Sequence, residues 1–162
     1  MSGPVTLGLE TPVGRLDVIL SETAIHRVGF GGKAADGPVP AAVAPLWKEL
    51  RKQIGEYFEG RRGSFDLPLR PHPPGTPFQE AVWEALRRIP PGQVLSYADL
   101  AAWAGRKGAA RAAGSACGAN RIPLLIPCHR AVAKGGLGGF GGGLAVKKRL
   151  LRLERTWSGG GA

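Results

Sequence analysis

Residues 96–120 read SYADLAAWAGRKGAARAAGSACGAN. Ser96 is placed to cap a helix, with Asp99 three residues on, and the apolar run that follows ends at Gly105. After the four-residue turn Gly105-Arg106-Lys107-Gly108, a second short helix begins. Two short helices across a glycine-bearing turn form a helix-turn-helix pattern. In the second helix Arg111 is the single charged residue, and Gly114, Ser115 and Gly118 share its face. Ala109, Ala112, Ala113 and Ala116 occupy the other face. A helix that reads the major groove offers several long polar side chains to base edges. This one offers a lone cation on a nearly bare backbone, which suits a shallow minor-groove fit with one arginine entering the duplex. It equally suits an alanine-rich packing helix with a solvent-facing arginine, and composition leaves both readings open.

Upstream, TPFQEAVWEALRRIPPG (76–92) has Thr76 as cap, Pro77 at the first helical position and Gln79 completing a capping box. Phe78, Val82, Leu86 and Ile89 make its apolar stripe, and Pro90-Pro91-Gly92 ends it. The proline-rich segment near 70–75 marks a domain boundary. Before it, PVGRLDVILSETAIHRVGF alternates apolar and polar residues like a hairpin or short meander. PLWKELRKQIGEYFEG puts Leu46, Trp47, Leu50, Ile54 and Phe58 on one helical face and stops at Gly60. RRGSFDLPLR reads as a short strand. The expected organisation is a small α/β domain over 1–72, a helical domain over 73–158 and a disordered tail at 159–162.

The charge is lopsided. Residues 1–76 carry 9 Lys/Arg against 8 Asp/Glu, a net of +1; residues 77–162 carry 13 against 4, a net of +9. So basic a half attracts polyanions, nucleic acid first among them. The N-terminus lacks the pattern of a signal peptide and no apolar run approaches a membrane span, so a soluble, cytoplasmic protein is expected. Two cysteines, Cys117 and Cys128, are too few for a disulfide scaffold, and His26, His72 and His129 are too scattered for a metal site.

Residues 122–143 read IPLLIPCHRAVAKGGLGGFGGG. The thiolate is the reactive form of cysteine, and a neighbouring imidazole favours it. The apolar run leads into Cys128 in extended geometry, so Cys128 and His129 cooperate only if the chain turns there or a water bridges them. A carboxylate would complete the relay. Glu154, on the helical face of Lys147, Leu150 and Leu151 in LAVKKRLLRLE, can point inward; on the residues alone, a surface acid among Lys148, Arg152 and Arg155 is the stronger reading. Seven glycines in the nine residues 135–143 leave a loop whose backbone can press on a flat ligand, with Phe140 placed to stack on a base.

IPCHRAV, preceded by GANRIPLL and followed by GGFGGGLAVKKRLLRLE, resembles the active-site signature of the O6-alkylguanine-DNA alkyltransferases. GTPFQEAVWEALRRIPPGQVLSYADLAAWAG is similar to the segment just upstream in that family, so the resemblance spans about residues 65–155. It implies an α+β protein: a small ribonuclease-H-like N-terminal domain, then a helical domain with a winged-helix-like helix-turn-helix that binds the minor groove. It further implies irreversible transfer of an alkyl group from O6-alkylguanine, and from O4-alkylthymine, in double-stranded DNA. The acceptor is the protein's own Cys128; each molecule reacts once, as a monomer and without cofactor or metal.

Carried over, His129 acts on Cys128 through a water, Glu154 orients His129, and Asn120 hinges the recognition helix to an active-site strand. Arg111 fills the gap left by the flipped nucleotide, and Tyr97 rotates the phosphate and hydrogen-bonds the extruded base. Ala110, Gly114, Ser115 and Arg130 join them at the DNA. The pocket is lined by Tyr97, Ala131, Phe140, Gly141 and Lys147, with main-chain groups of Cys128, Ala131 and Gly141 at the guanine edge. Three features depart from the family: Phe140-Gly141 stands for Tyr-Ser or Tyr-Ala, the loop from His129 to Phe140 is one residue shorter than in some members, and Arg121 replaces a common proline. A non-catalytic damage sensor of the same fold and a multiple-turnover thiol hydrolase are the competing functions.

Overall fold

The computed structural model describes residues 3–34 and 37–161, with side chains through Trp157. β1 (Val5–Thr11), β2 (Gly14–Leu20) and β3 (Ile25–Phe30) form an antiparallel meander in the order β1-β2-β3. The sequence pattern announced β2 and β3. β1 is additional, paired with β2 from Val5↔Leu20 to Thr11↔Gly14. α1 (Ala44–Phe58) brings Trp47, Leu50, Gln53, Ile54 and Tyr57 to the core. Tyr57 rather than Phe58 is the deeply buried ring, which corrects the expected face by one residue. Gly60 ends the turn at φ +78°, a left-handed conformation, and its N–H reaches the Tyr57 carbonyl.

The strand expected in RRGSFDLPLR is only a bridge between Ile25 and Leu69. The Ile25 N–H meets the Pro68 carbonyl and the Arg70 N–H returns to the Ile25 carbonyl. Pro68 and Pro71 have no N–H to extend the ladder.

α2 (Pro77–Leu86) starts as the sequence predicts. Thr76 Oγ1 accepts from the Gln79 N–H, and Gln79 Oε1 accepts from the Thr76 N–H. Val82, Leu86 and Ile89 are buried; Phe78 is only partly so, beneath the Arg106 guanidinium at 4.5 Å. α3 (Tyr97–Trp103) is capped by Ser96 Oγ, which accepts from the Asp99 N–H. Gly105 at φ +90° and Gly108 at φ +89° turn the chain into α4 (Ala110–Gly118). Trp83 of α2 crosses beneath α4 and donates Nε1–H to the Ala116 carbonyl at 2.8 Å. The strands beside this motif, β4 (Leu95–Ser96) and β5 (Ala131–Val132), pair in parallel. Among the described residues they make no antiparallel hairpin wing.

α5 (Leu144–Gly161) closes the fold. The tail expected at 159–162 continues this helix through Gly161, since each added residue extends an existing ladder by one bond; Ala162 lies outside the described residues. The two halves join through one core: the Val28 N–H meets the Arg121 carbonyl, Tyr57 packs edge-on to Trp157, and Phe30 packs on Phe140. Among the described residues no helix is long and apolar enough to cross a membrane, and no three of His, Cys, Asp and Glu are grouped to hold a metal.

Candidate active site and DNA-binding face

The run from Asn120 to Pro127 is a turn, not the expected strand. Pro123 and Pro127 lack N–H groups. Asn120 fastens both ends: Oδ1 accepts from the Ile122 N–H and Nδ2 donates to the Ile126 carbonyl at 2.9 Å. Leu124 takes φ +74°, a left-handed conformation uncommon outside glycine, inside this clamp. Beyond it, Cys128–Arg130 form a single 3₁₀ turn. The required change of chain direction therefore falls at the cysteine itself, and Cys128 and His129 are no longer held on opposite faces.

Cys128 is 7% exposed. Burial pushes its thiol up to about 11, against the opposing pull of the Asn120 hydrogen bond and the Lys147 charge. Desolvation wins, so the resting group is a thiol at neutral pH. Cys117 is buried too and lies higher, at about 12, again through burial first. It packs within the core like a small apolar residue.

His129 and Glu154 have no exposed surface, which overturns the surface reading of Glu154. Glu154 follows Lys147 and Leu150 along the inner face of α5, as helical periodicity allows, and all three are fully buried. Its Oε2 lies 2.6 Å from His129 Nε2. Burial alone would raise the Glu154 carboxyl, but hydrogen bonds and charge from His129 and Arg130 hold it down at about 2. An ionised carboxylate only accepts, so Nε2 carries the proton and Nδ1 keeps the lone pair. Nδ1 is buried with no protein partner. Burial lowers the His129 pKa, although Glu154 opposes this.

Arg130, expected at the DNA, is 3% exposed and belongs to the interior. Its Nε donates to Glu154 Oε1 at 2.8 Å, one terminal nitrogen to the Ile89 carbonyl, and the other to the Gly63 carbonyl and Glu154 Oε2. Four of its five N–H groups are engaged inside the protein, and so buried a guanidinium presents no surface to a phosphate. Tyr57, which the sequence reading passed over, donates its hydroxyl to Glu154 Oε2 at 2.5 Å.

The glycine loop is anchored by Lys147. Its Nζ donates to the carbonyls of Ala131, Leu137 and Gly139 at 2.8, 2.5 and 3.1 Å. Tyr97 closes the other side, its pKa raised by burial first and opposed by the Gly139 main chain. A Cβ on Gly138 would fall 2.3 Å from the Tyr97 hydroxyl, and φ there is +74°. Both facts require glycine. Phe140 packs on Phe30 and faces the His129 ring with centroids 6.5 Å apart. Gly141 is exposed, and a Cβ on it would meet nothing within 4 Å.

On α4, Arg111 and Ser115 are exposed and Ala110 and Gly114 half-exposed, while Ala113, Ala116 and Cys117 are buried. The Tyr97 ring lies under Gly114, where an added Cβ would come within 3.2 Å of it. The small-residue face and its single cation thus stand beside Tyr97, which also adjoins the glycine loop at Gly138.

Two family models match the chain. The 6-O-methylguanine DNA methyltransferase DNA-binding domain matches residues 77–156, and the ribonuclease-like domain of the same proteins matches residues 8–71. The constitutive methylated-DNA–protein-cysteine methyltransferase of Bacillus subtilis is 40% identical over 154 residues, covering 90% of this chain and 92% of its own length.

The chain belongs to the 6-O-methylguanine DNA methyltransferase family.

The Mycolicibacterium paratuberculosis methylated-DNA–protein-cysteine methyltransferase is 47% identical over 153 residues, or 94% of this chain and 89% of that one. The crystal structure of the Mycobacterium tuberculosis O6-methylguanine methyltransferase superposes with a TM-score of 0.82 at 33% identity, over 95% of this chain and 94% of that one. A structure of the M. tuberculosis protein in complex with DNA gives 0.81, also at 33% identity, over 94% and 93% of the two chains. Family membership accounts for the mixed α+β architecture: a small sheet domain followed by a helical DNA-binding domain.

Proposed function

We propose that this protein repairs alkylated DNA by moving an alkyl group from O6 of guanine, and from O4 of thymine, to its own Cys128. One observation carries the reading: the chain turns at Cys128, and the residue that follows is a buried imidazole whose Nε2 is 2.6 Å from a buried carboxylate.

The proposed steps follow from the residues. The α4 face enters the minor groove, and backbone positions at Ala110 and Gly114 allow close approach. The target base cannot be reached within the stack, so it turns out of the duplex and Arg111 fills the gap. Tyr97, kept protonated by partial burial, donates to the extruded base. The glycine loop from Ala131 to Gly141 walls the base with main chain, and Phe140 lies against it. His129 Nδ1, left free by the Nε2–Glu154 bond, takes the Cys128 proton through a water. The sulfur attacks the alkyl carbon, the carbon–oxygen bond breaks, and its electron pair leaves with the guanine, which regains one proton. Main-chain N–H groups near O6 stabilise that developing charge. The thioether product has no return path, so each monomer reacts once.

The test is stoichiometry. Duplex carrying O6-methylguanine in excess should lose one methyl group per protein molecule and then stop. Continued turnover would assign the site to hydrolysis, and binding without methyl loss would make the protein a damage sensor.

A further inference from the structure

Glu154 Oε2 accepts from two neutral donors at once. His129 Nε2 approaches at 2.6 Å from the 3₁₀ turn, and the Tyr57 hydroxyl at 2.5 Å from α1. Tyr57 is fully buried and lies 97 residues from Glu154 in sequence, in the half of the chain that carries neither Cys128 nor the helix-turn-helix. We propose that Tyr57 is a positioning residue for alkyl transfer: by donating to Glu154 Oε2, the N-terminal half fixes the carboxylate that orients His129. The inference rests on the reading of Cys128, His129 and Glu154 as the transfer centre.

Chemistry limits what Tyr57 can do there. Burial and the neighbouring Glu154 charge raise its pKa, so it stays a donor and takes no part as an acid or base. Its effect is on the carboxylate. Each donor on Oε2 spreads the negative charge and weakens its hold on an imidazolium proton. The other charged and titratable groups at the site are accounted for. Arg130 grips both Glu154 oxygens from the 3₁₀ turn, and Lys147 of α5, Cys117 of α4, Tyr97 of α3 and Cys128 itself surround the relay. From α1, Tyr57 is the group that touches it.

The ring has a packing role that can be separated from the hydroxyl. It sits 5.0 Å from Phe58, 5.5 Å from Phe65 and 4.9 Å from Trp157, centroid to centroid. Tyr57→Phe keeps those contacts and removes only the donor, whereas Tyr57→Leu removes both.

The experiment uses the full chain and two readouts. The first is the pH dependence of Cys128 modification by iodoacetamide, followed by peptide mass so that Cys117 is counted apart. The second is single-turnover transfer from an O6-methylguanine duplex. In Tyr57→Phe the freed carboxylate should keep His129 protonated to higher pH. The acid limb of both profiles should move up by about half a unit to one unit, so that rates on that limb fall about threefold to tenfold, the size of one ordinary net hydrogen bond. DNA affinity should not change. If Tyr57→Phe does not fold, 3-fluorotyrosine incorporated in the Tyr97→Phe background supplies a stronger donor at the same place and should move the acid limb down. Profiles of Tyr57→Phe that superpose on wild type while those of Glu154→Gln are displaced would overturn the proposal. So would a pH-independent loss shared equally by Tyr57→Phe and Tyr57→Leu. A wild-type protein that transfers no methyl group would refute the parent reading, and the iodoacetamide profile would still decide the part played by Tyr57.

Discussion

Glu154 Oε2 and His129 Nε2 lie 2.6 Å apart, and neither side chain has exposed surface. The contact fixes the imidazole tautomer and leaves the Nδ1 lone pair without a protein partner. Replacing Glu154 with Gln keeps the shape but makes the partner neutral and free to present its amide to Nε2. General-base activation is worth roughly 10²–10⁴-fold. Losing its orienting group should therefore lower single-turnover transfer on the order of tenfold to a hundredfold, with Cys128 still present. Equal rates for the variant and wild type across neutral pH would deny Glu154 this role.

The same carboxylate governs acid stability. Its folded pKa of about 2 lies below the ordinary value of 4.5, so its contribution is fully present above about pH 4.5 and is lost as the pH falls toward 2. His129 acts in the same direction, because a buried imidazole with a lowered pKa resists the proton that the unfolded chain accepts. Denaturant unfolding should weaken through this window in wild type, and the slope should be shallower in Glu154→Gln. Identical slopes would place the acid response elsewhere.

Arg130 is held by Glu154, Ile89 and Gly63 rather than offered to DNA. Arg130→Met should leave Glu154 less compensated and cost about 3 kcal/mol of stability, the scale of a broken buried pair. The salt dependence of DNA binding should not change, since no phosphate contact is removed. A flatter salt slope with unaltered stability would restore Arg130 to the DNA interface.

Arg111 stands exposed on a face otherwise made of Gly and Ser beside half-exposed Ala. If it replaces the extruded nucleotide, Arg111→Ala should slow repair in duplex by at least tenfold while transfer from free O6-benzylguanine changes little. Matching losses on both substrates would instead tie it to the pocket or the fold.

Gly141 has open space where a side chain would project, and its φ does not demand glycine. The wild-type loop should thus accept adducts larger than methyl, and Gly141→Ser should fold normally while slowing O6-benzylguanine more than O6-methylguanine. Single-turnover rates on oligonucleotides carrying each adduct decide it. Rejection of benzyl by wild type, unchanged by the serine, would disprove the idea.

Local signals were legible in the sequence. The Thr76 capping box, the Ser96 cap and the stop at Gly60 depend on residues within a turn of one another, and the structure forms all three. Glu154 was legible only as a possibility. Periodicity put it on the face of Lys147 and Leu150, but its burial depends on Arg130, His129 and Tyr57 arriving from 24, 25 and 97 residues away. Arg130 was misread for the complementary reason: arginines are rarely buried unless paired, and the pair is invisible without the fold. The turn at Cys128 was foreseen as a requirement. Its cause was not, since it lies in the two-ended clamp of Asn120 around residues 122–126. β1 escaped because its alternating run, Val5, Leu7 and Leu9, is short and contains Gly8, and the strand is held by pairing with β2.

The most direct measurement of the central claim is where the alkyl group lands. Wild-type protein incubated with an O6-methylguanine duplex, digested and mapped by peptide mass, should carry one methyl group on Cys128 and none on Cys117, and Cys128→Ala should bind the duplex with nearly unchanged affinity yet gain no mass. Methyl on Cys117, or mass gained by Cys128→Ala, would contradict the account.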